Sequence, residues 1–382
     1  MLSLPTQPDG DLHVGRPTPG DRALFNELVD GIFDRRRFTN NGDLVRELEL
    51  RLCKYLGVRH CIPVCNGTTG LQLACRALKL EGEVIVPAFT FPATVHALQW
   101  QGVRPVFADV DPKTHNLDPA AVEKLITPRT TGILGVHLWG RPCQPDIFQT
   151  LARTHGLKLL FDAAHAFGAA FDGRRIGNFG RCEVFSFHAT KFFHTFEGGA
   201  VATNDDELAA SIRLMKNFGF KGVDEVVFLG INGKMPEICA AMGLANLQVI
   251  EALLATNRKH HDTYRRALAK FPGIRFLDFD DVERANFQYV VIEVDEERAG
   301  LSRDALMAHL HANGILARRY YYPGCHRIEP YRSLYREQMD RLPFTDGLCR
   351  RVLVLPTGSA LEESDVGFVC ENIAAALCKK SR

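Results

Sequence analysis

Between residues 56 and 217, short apolar runs alternate with stretches whose apolar residues recur every three or four positions. That alternation predicts strands joined by crossover helices. The strands are HCIPVC (60–65), EVIVP (83–87), RPVFADV (104–110), TGILGVHL (131–138), LKLLFD (157–162), EVFSF (183–187) and GAVAT (199–203). Continuous apolar runs, in place of an in-and-out alternation, suit strands covered on both faces.

Leu71, Ala74, Cys75 and Leu78 recur at helical spacing after Asn66, which stands where an N-cap belongs and predicts a helix from about Gly67. Asp205 and Asp206 open another helix toward Asn217, with acidic residues at its positive end. A long helical pattern from Glu237 carries the chain out of this first domain. Beyond Pro272 the pattern is a less regular α/β mixture, with strands at 287–294 and 315–322 around a helix at 302–313. Residues 1–35 read as an irregular arm, packed on the body or on a partner subunit.

A chain of 382 residues is longer than one hydrophobic core usually fills, so a large domain with a smaller one appended is expected. With 46 basic and 45 acidic residues, no global field draws the protein to nucleic acid or anionic lipid. A bound phosphate must then be held locally. The N-terminal stretch has no basic start and no long apolar core, and no run of about 18 apolar residues occurs. The expectation is a cytoplasmic protein. Eleven scattered cysteines, never spaced CxxC, predict reduced and mostly buried thiols, with no metal or disulfide role.

The chemistry concentrates in four segments. SFHATKFFHTFEGGA (186–200) places Lys191 among His188, Phe192, Phe193, His194 and Phe196. Most lysines are solvated surface charges. One in a poorly hydrated, aromatic setting has its pKa pushed down and becomes a nucleophile toward an aldehyde. In LKLLFDAAHAFGA, Asp162 ends a strand, where ligands gather in open α/β sheets, although such an aspartate is also a common N-cap. About 4 Å from a protonated pyridine nitrogen it would supply roughly 4 kcal/mol at an effective dielectric of 20. NGTTGL (66–71) turns a strand into a helix, so the amides of Gly67, Thr68 and Thr69 suit an anion, with the Ser186 hydroxyl as a further donor; most such turns merely cap helices. In PAFTFPAT (87–94), Phe89 or Phe91 is available to cover a flat ligand or to fill the core. With Lys191 and Asp162 in place, Phe91 is favoured for the ligand.

These segments, together with FTNNGDLVRELE (38–49), GINGKMPEICAAMGLANL (230–247) and RRYYYPGCHRIEPY (318–331), fall in one order. In that order the chain resembles, over nearly its whole length, the DegT/DnrJ/EryC1/StrS group of sugar aminotransferases dependent on pyridoxal 5'-phosphate (PLP). The resemblance implies the fold-type I, aspartate aminotransferase-like α/β architecture: an arm at 1–35, a large PLP-binding domain at 36–250 with a mainly parallel seven-stranded sheet, and a small α/β domain at 251–382. It implies that Lys191 is the Schiff-base lysine, Asp162 the pyridine-nitrogen partner, His165 a neighbour of the ring and Phe91 the stacking aromatic. Gly67, Thr68 and Ser186 would hold the phosphate. Asn232 would reach it from the other subunit of a homodimer with shared sites, though alone it reads as a turn residue. Tyr321 and His326 would border the sugar pocket, or else be a packed tyrosine and a surface histidine.

The substrates implied are L-glutamate and a nucleotide-linked keto sugar. The segments around Lys191 and YYYPGCH are closer to the subgroup aminating C4 of dTDP-4-keto-6-deoxyglucose than to the C3 subgroup. Relatives that work as dehydratases carry histidine where this chain has Lys191. A sugar dehydratase and a non-catalytic PLP-binding regulator are the alternatives; no DNA-binding module or basic patch supports the latter. A nicotinamide oxidoreductase is disfavoured because no GxGxxG follows the first strand.

Overall fold

The structure, a computed structural model, describes residues 10–279 and 282–378. At its centre are seven strands, β1 (His60–Val64), β2 (Glu83–Pro87), β3 (Arg104–Ala108), β4 (Thr130–Val136), β5 (Lys158–Asp162), β6 (Cys182–Ser186) and β7 (Gly199–Thr203). They form one sheet in the order β1-β7-β6-β5-β4-β2-β3. β7 is antiparallel to both neighbours and the remaining ladders are parallel, as the mainly parallel sheet expected from sequence requires. The strands are apolar throughout because both faces are covered. Ile85, Ile133, Phe161 and Phe185 enter one buried cluster, while Val84, Leu134, Leu160 and Val184 enter the cluster on the opposite face.

The carboxyl ends of the parallel strands share one edge, and β7, running the other way, brings its amino end Gly199 to that edge. Four connections leave from there. β1 passes into helix α3 (Gly67–Ala77), β2 into helix α4 (Pro92–Gln99), β5 into the turn at Ala163 to His165, and β6 into the loop carrying Lys191. The crevice above this edge is where open α/β sheets place their ligands.

The first residues are more regular than the sequence suggested. Arg22–Arg35 is a helix, α1, capped by Asp21, whose carboxylate accepts the Leu24 N–H at 3.0 Å. Phe25, Leu28, Val29 and Ile32 lie on its inner face against the main core, so the irregular arm shortens to the residues before Asp21. Within that remainder Leu12–His13 pairs in parallel with Ile315–Leu316; residues 1–9 of the expected arm lie outside the described residues. The long helix expected from Glu237 is two helices, Glu237–Gln248 and Ile250–Leu268, bent by 65°. The first is buried nearly all round and the second along one stripe, so a straight continuation would not satisfy both. Ile250 and Leu254 pack on the main core, whereas Tyr264 and Leu268 pack on the cluster around a three-stranded antiparallel sheet of Ile274–Phe276, Val290–Val294 and Val352–Leu355. The predicted strand at 315–322 is reduced to Ile315–Leu316, which frees the following tyrosines to turn toward the crevice. Among the described residues no single helix is long and apolar enough to cross a membrane.

Helix α2 (Asp43–Leu56) begins at Gly42, which has no side chain to cap it. Glu237, itself buried, does so from a distance: its carboxylate accepts the Leu44 N–H at 2.9 Å and the Val45 N–H at 3.2 Å. Glu237→Ala leaves two buried donors without partners. It is expected to lower stability by about 2–3 kcal/mol, read from the urea midpoint, with Glu237→Gln losing less because one oxygen remains.

Candidate active site

A cavity of about 680 Å³ opens at the carboxyl edge of the sheet, within the range of small-molecule sites. One end is the first turn of α3. Asn66 caps it by accepting the Thr69 N–H at 2.8 Å, while helix geometry leaves the Gly67 and Thr68 amides without intrahelical partners, facing the cavity. Gly199 allows this turn to lie against the sheet, since a Cβ there would sit 2.6 Å from the Phe185 carbonyl oxygen and 2.8 Å from the Gly67 nitrogen. Ser186, at the end of β6, abuts the same turn and lines the cavity beside Gly67.

The floor is Asp162, the last residue of β5. One carboxylate oxygen accepts the Ala164 N–H at 3.0 Å and the other accepts the Thr94 hydroxyl at 2.8 Å, Thr94 being in the first turns of α4. Burial raises the Asp162 pKa, against the pull of those two donors and of Lys191. Across the cavity the Lys191 amine donates to the Tyr289 hydroxyl at 3.3 Å. Burial lowers the Lys191 pKa, with Asp162 and Tyr320 opposing. His165, buried, is held well below the usual histidine range by burial and by Lys191, so its ring is neutral. Its Nδ1 accepts the Trp139 backbone N–H at 3.4 Å, which leaves Nε2–H to donate to the Tyr321 hydroxyl at 3.0 Å. The ring is stacked with Trp139 and Tyr321 at 6.0 and 6.1 Å.

Gly67, Thr68, Phe91, Asp162, His165, Ser186, Lys191 and Tyr321 therefore come together on one cavity. Phe91 is 57% exposed at its rim while Phe89 is core, which separates the two roles left open between them. His326 is not brought in. Its ring is buried against Phe107, with Nε2 3.1 Å from Asp346, because the short turn Cys325–Arg327 directs it away from the crevice that Tyr321 faces. Asn232 is exposed outside the cavity, paired with Asn217, and its neighbour Gly233 accepts the Cys65 N–H at 2.9 Å. The aromatic setting of Lys191 also differs from expectation. Phe193 belongs to the core against Phe167 and Phe187, and Phe196 lies edge-on to Phe25. The rings around the amine are Tyr289 and Tyr320, contributed from far along the chain. Sequence reasoning missed them, and it missed Thr94 and Arg318. Thr94 stood in a segment singled out for its phenylalanines, and Arg318 and Tyr320 stood in one singled out for Tyr321 and His326; Tyr289 carried no local signal.

The arrangement fits PLP. Lys191 and Asp162 carry opposite charges into one cavity, yet no ion pair joins them among the described residues, so a flat group has room between them. The free amides of α3 suit a phosphate. Fold and site together define an α/β transferase of the PLP-dependent class. A model of the DegT/DnrJ/EryC1/StrS aminotransferase family matches residues 20–374, and the chain belongs to that family, whose aminotransferases depend on PLP. The dTDP-4-amino-4,6-dideoxy-D-glucose transaminase of Escherichia coli is 36% identical over 361 residues, covering 94% of this chain and 96% of its own. The GDP-perosamine synthase of Caulobacter vibrioides is 37% identical over 340 residues, 86% of this chain and 88% of its own. Among solved structures, DesI in the presence of its TDP-sugar product is 47% identical with a TM-score of 0.92, covering 99% of this chain and 96% of that one.

Proposed function

We propose that this aminotransferase moves the amino group of L-glutamate to C4 of a dTDP-linked 4-keto-6-deoxy sugar, with dTDP-4-keto-6-deoxyglucose the first acceptor to test. The carrying observation is the Lys191 amine facing the Asp162 carboxylate across one cavity without pairing to it. Similarity to transaminases of dTDP-amino sugars and to DesI supports the choice of nucleotide and carbon.

In this reading Lys191 holds the cofactor covalently, Asp162 holds the proton on its ring nitrogen, and Gly67, Thr68 and Ser186 hold its phosphate. His165 and Phe91 flank the ring, and Tyr321 borders the sugar. PLP supplies an electron sink beside the reacting carbon. The protein supplies the rest. Lys191 Nζ, its pKa lowered by burial, would take a proton from the donor's α-carbon in one half-reaction and, in the separate second one, would give a proton to the sugar carbon. The Tyr289 hydroxyl, 3.3 Å away, accepts a hydrogen bond from that nitrogen and would restrict where it can lie. Thr94 and the Ala164 amide fix the Asp162 oxygens.

A second copy of the chain completes the site. The segment leading to Asn232 exposes Phe218, Val223, Val226, Val227, Phe228, Leu229 and Ile231, with Leu229 at 75%, a patch that a monomer in the cytoplasm would not leave bare. Asn232 at its end reaches the partner's phosphate site. A dimer in sedimentation and weaker cofactor retention in Asn232→Ala, roughly tenfold for one lost hydrogen bond, are the expected results. The test of function is mass spectrometry of products after incubation with glutamate and a panel of dTDP-, UDP- and GDP-linked keto sugars. An amino sugar formed from the dTDP substrate supports the reading; loss of water without nitrogen transfer replaces it with a dehydratase.

A further inference from the structure

Two arginines follow one another after Ile315–Leu316, and the fold uses them differently. Arg319 lies 3.2 Å from Asp304 and over the Tyr322 ring at 4.3 Å. Arg318 faces the cavity, over the Tyr320 ring at 5.3 Å, and among the described residues no carboxylate lies within ion-pair reach of it. Its main chain is fixed on both sides, since Arg318 N donates to Val354 O at 3.0 Å and Val354 N donates to Arg318 O at 2.8 Å. A rigid base thus presents a guanidinium with all five donors unspent.

The Tyr320 ring beneath it lies 6.3 Å from that of Tyr289, whose hydroxyl holds Lys191. Arg318 and Lys191 therefore open on the same space from adjoining walls. Of the other charged groups lining the cavity, Asp162 repels anions and Glu197 is paired with His188 at 3.4 Å. Both substrates are anions, but they carry their charge at different distances from the reacting carbon. The diphosphate of a nucleotide sugar lies beyond the sugar ring, whereas the carboxylates of an amino acid lie within a few bonds. A cation one aromatic ring away from the reacting amine suits the second.

We infer that Arg318 is the anchor for the amino donor, holding a carboxylate of L-glutamate through a forked pair of hydrogen bonds while its α-carbon lies at Lys191. The inference rests on the aminotransferase reading given above. It is tested on the cofactor-loaded protein with glutarate, a dicarboxylate that lacks the reacting amine, and with dTDP alone. Arg318→Gln is expected to weaken glutarate binding in calorimetry by about 100-fold, which is about 2.8 kcal/mol at 1.4 kcal/mol per tenfold. The glutamate concentration giving half-maximal bleaching in a single half-reaction should rise equally, with the limiting rate within about threefold and dTDP affinity unchanged. Arg318→Lys should recover part of the loss, because an ammonium keeps the charge without the fork. An unchanged half-saturation for glutamate, or weakened dTDP binding in its place, overturns the assignment. Wild-type protein that does not bleach with glutamate would instead defeat the aminotransferase reading, whatever Arg318 does.

Discussion

Lys191→Ala is expected to lower multiple-turnover amino transfer by at least about 10⁴-fold, because in the proposed reaction one side chain serves both as covalent tether and as proton carrier. No neighbour can replace it: the group that its amine hydrogen-bonds is the Tyr289 phenol, whose pKa is raised by burial. Folding should survive, since the substitution removes an amine whose charged form burial disfavours and breaks one long hydrogen bond at 3.3 Å. Cofactor should also still enter, held by the α3 amides and Asp162, but unattached. Borohydride reduction followed by intact-mass measurement checks this, because wild-type protein should gain the mass of the cofactor and the variant should not. Lys191→Arg should behave as the alanine variant does, keeping the charge and losing the nucleophile. Turnover within tenfold of wild type in either variant would show that the nitrogen at 191 does not carry the reaction.

What the sequence made legible follows from how locally each feature is encoded. The sheet could be read because strands covered on both faces are apolar along nearly their whole length, and Asp162 and Lys191 could be read because the first ends such a strand and the second lies in the short loop that leaves one. The turn at Gly67 was visible for a similar reason, Asn66 marking the start of α3. Thr94 reaches Asp162 from 68 positions away, and no period or composition signals that contact. Tyr289 and Tyr320 look like any aromatic next to a strand; they reach Lys191 only because the three-stranded sheet docks against the larger one along the seam formed by Phe89, Trp139 and Tyr321. His326 shows the converse. It shares a short segment with Tyr321, but the four residues between them suffice to send Tyr321 to one core cluster and the His326 ring against Phe107 of another. Helix α1 was missed because Gly31 and the glycines and prolines before Asp21 mask a pattern in which Phe25, Val29 and Ile32 share a face.

Asp162→Asn is expected to cost about 10³-fold in amino transfer while leaving the cofactor-free protein at least as stable as wild type. A carboxylate about 4 Å from a ring nitrogen contributes roughly 4 kcal/mol at an effective dielectric of 20, or about three pKa units on that nitrogen. An amide contributes no such charge. The stability half follows from the sign of the shift. Burial raises the Asp162 pKa, so the folded protein favours the protonated form more than the unfolded chain does. Any stability from this group is present below the ordinary carboxylate pKa and is lost as pH rises through the raised value. Wherever the side chain is ionised it is thus a burden on the empty protein, which cofactor binding in the proposed role would relieve by supplying the opposite charge. Asparagine carries no such burden. Its cofactor-free melting temperature should equal or exceed that of wild type at pH 7, and the difference should shrink as the pH falls toward the carboxylate range. Addition of PLP should then raise the melting temperature of wild type more than that of the variant. An Asp162→Asn protein that loses activity and also melts well below wild type without cofactor would mark Asp162 as a structural cap for the turn at Ala164, and not as the counter-charge of the ring.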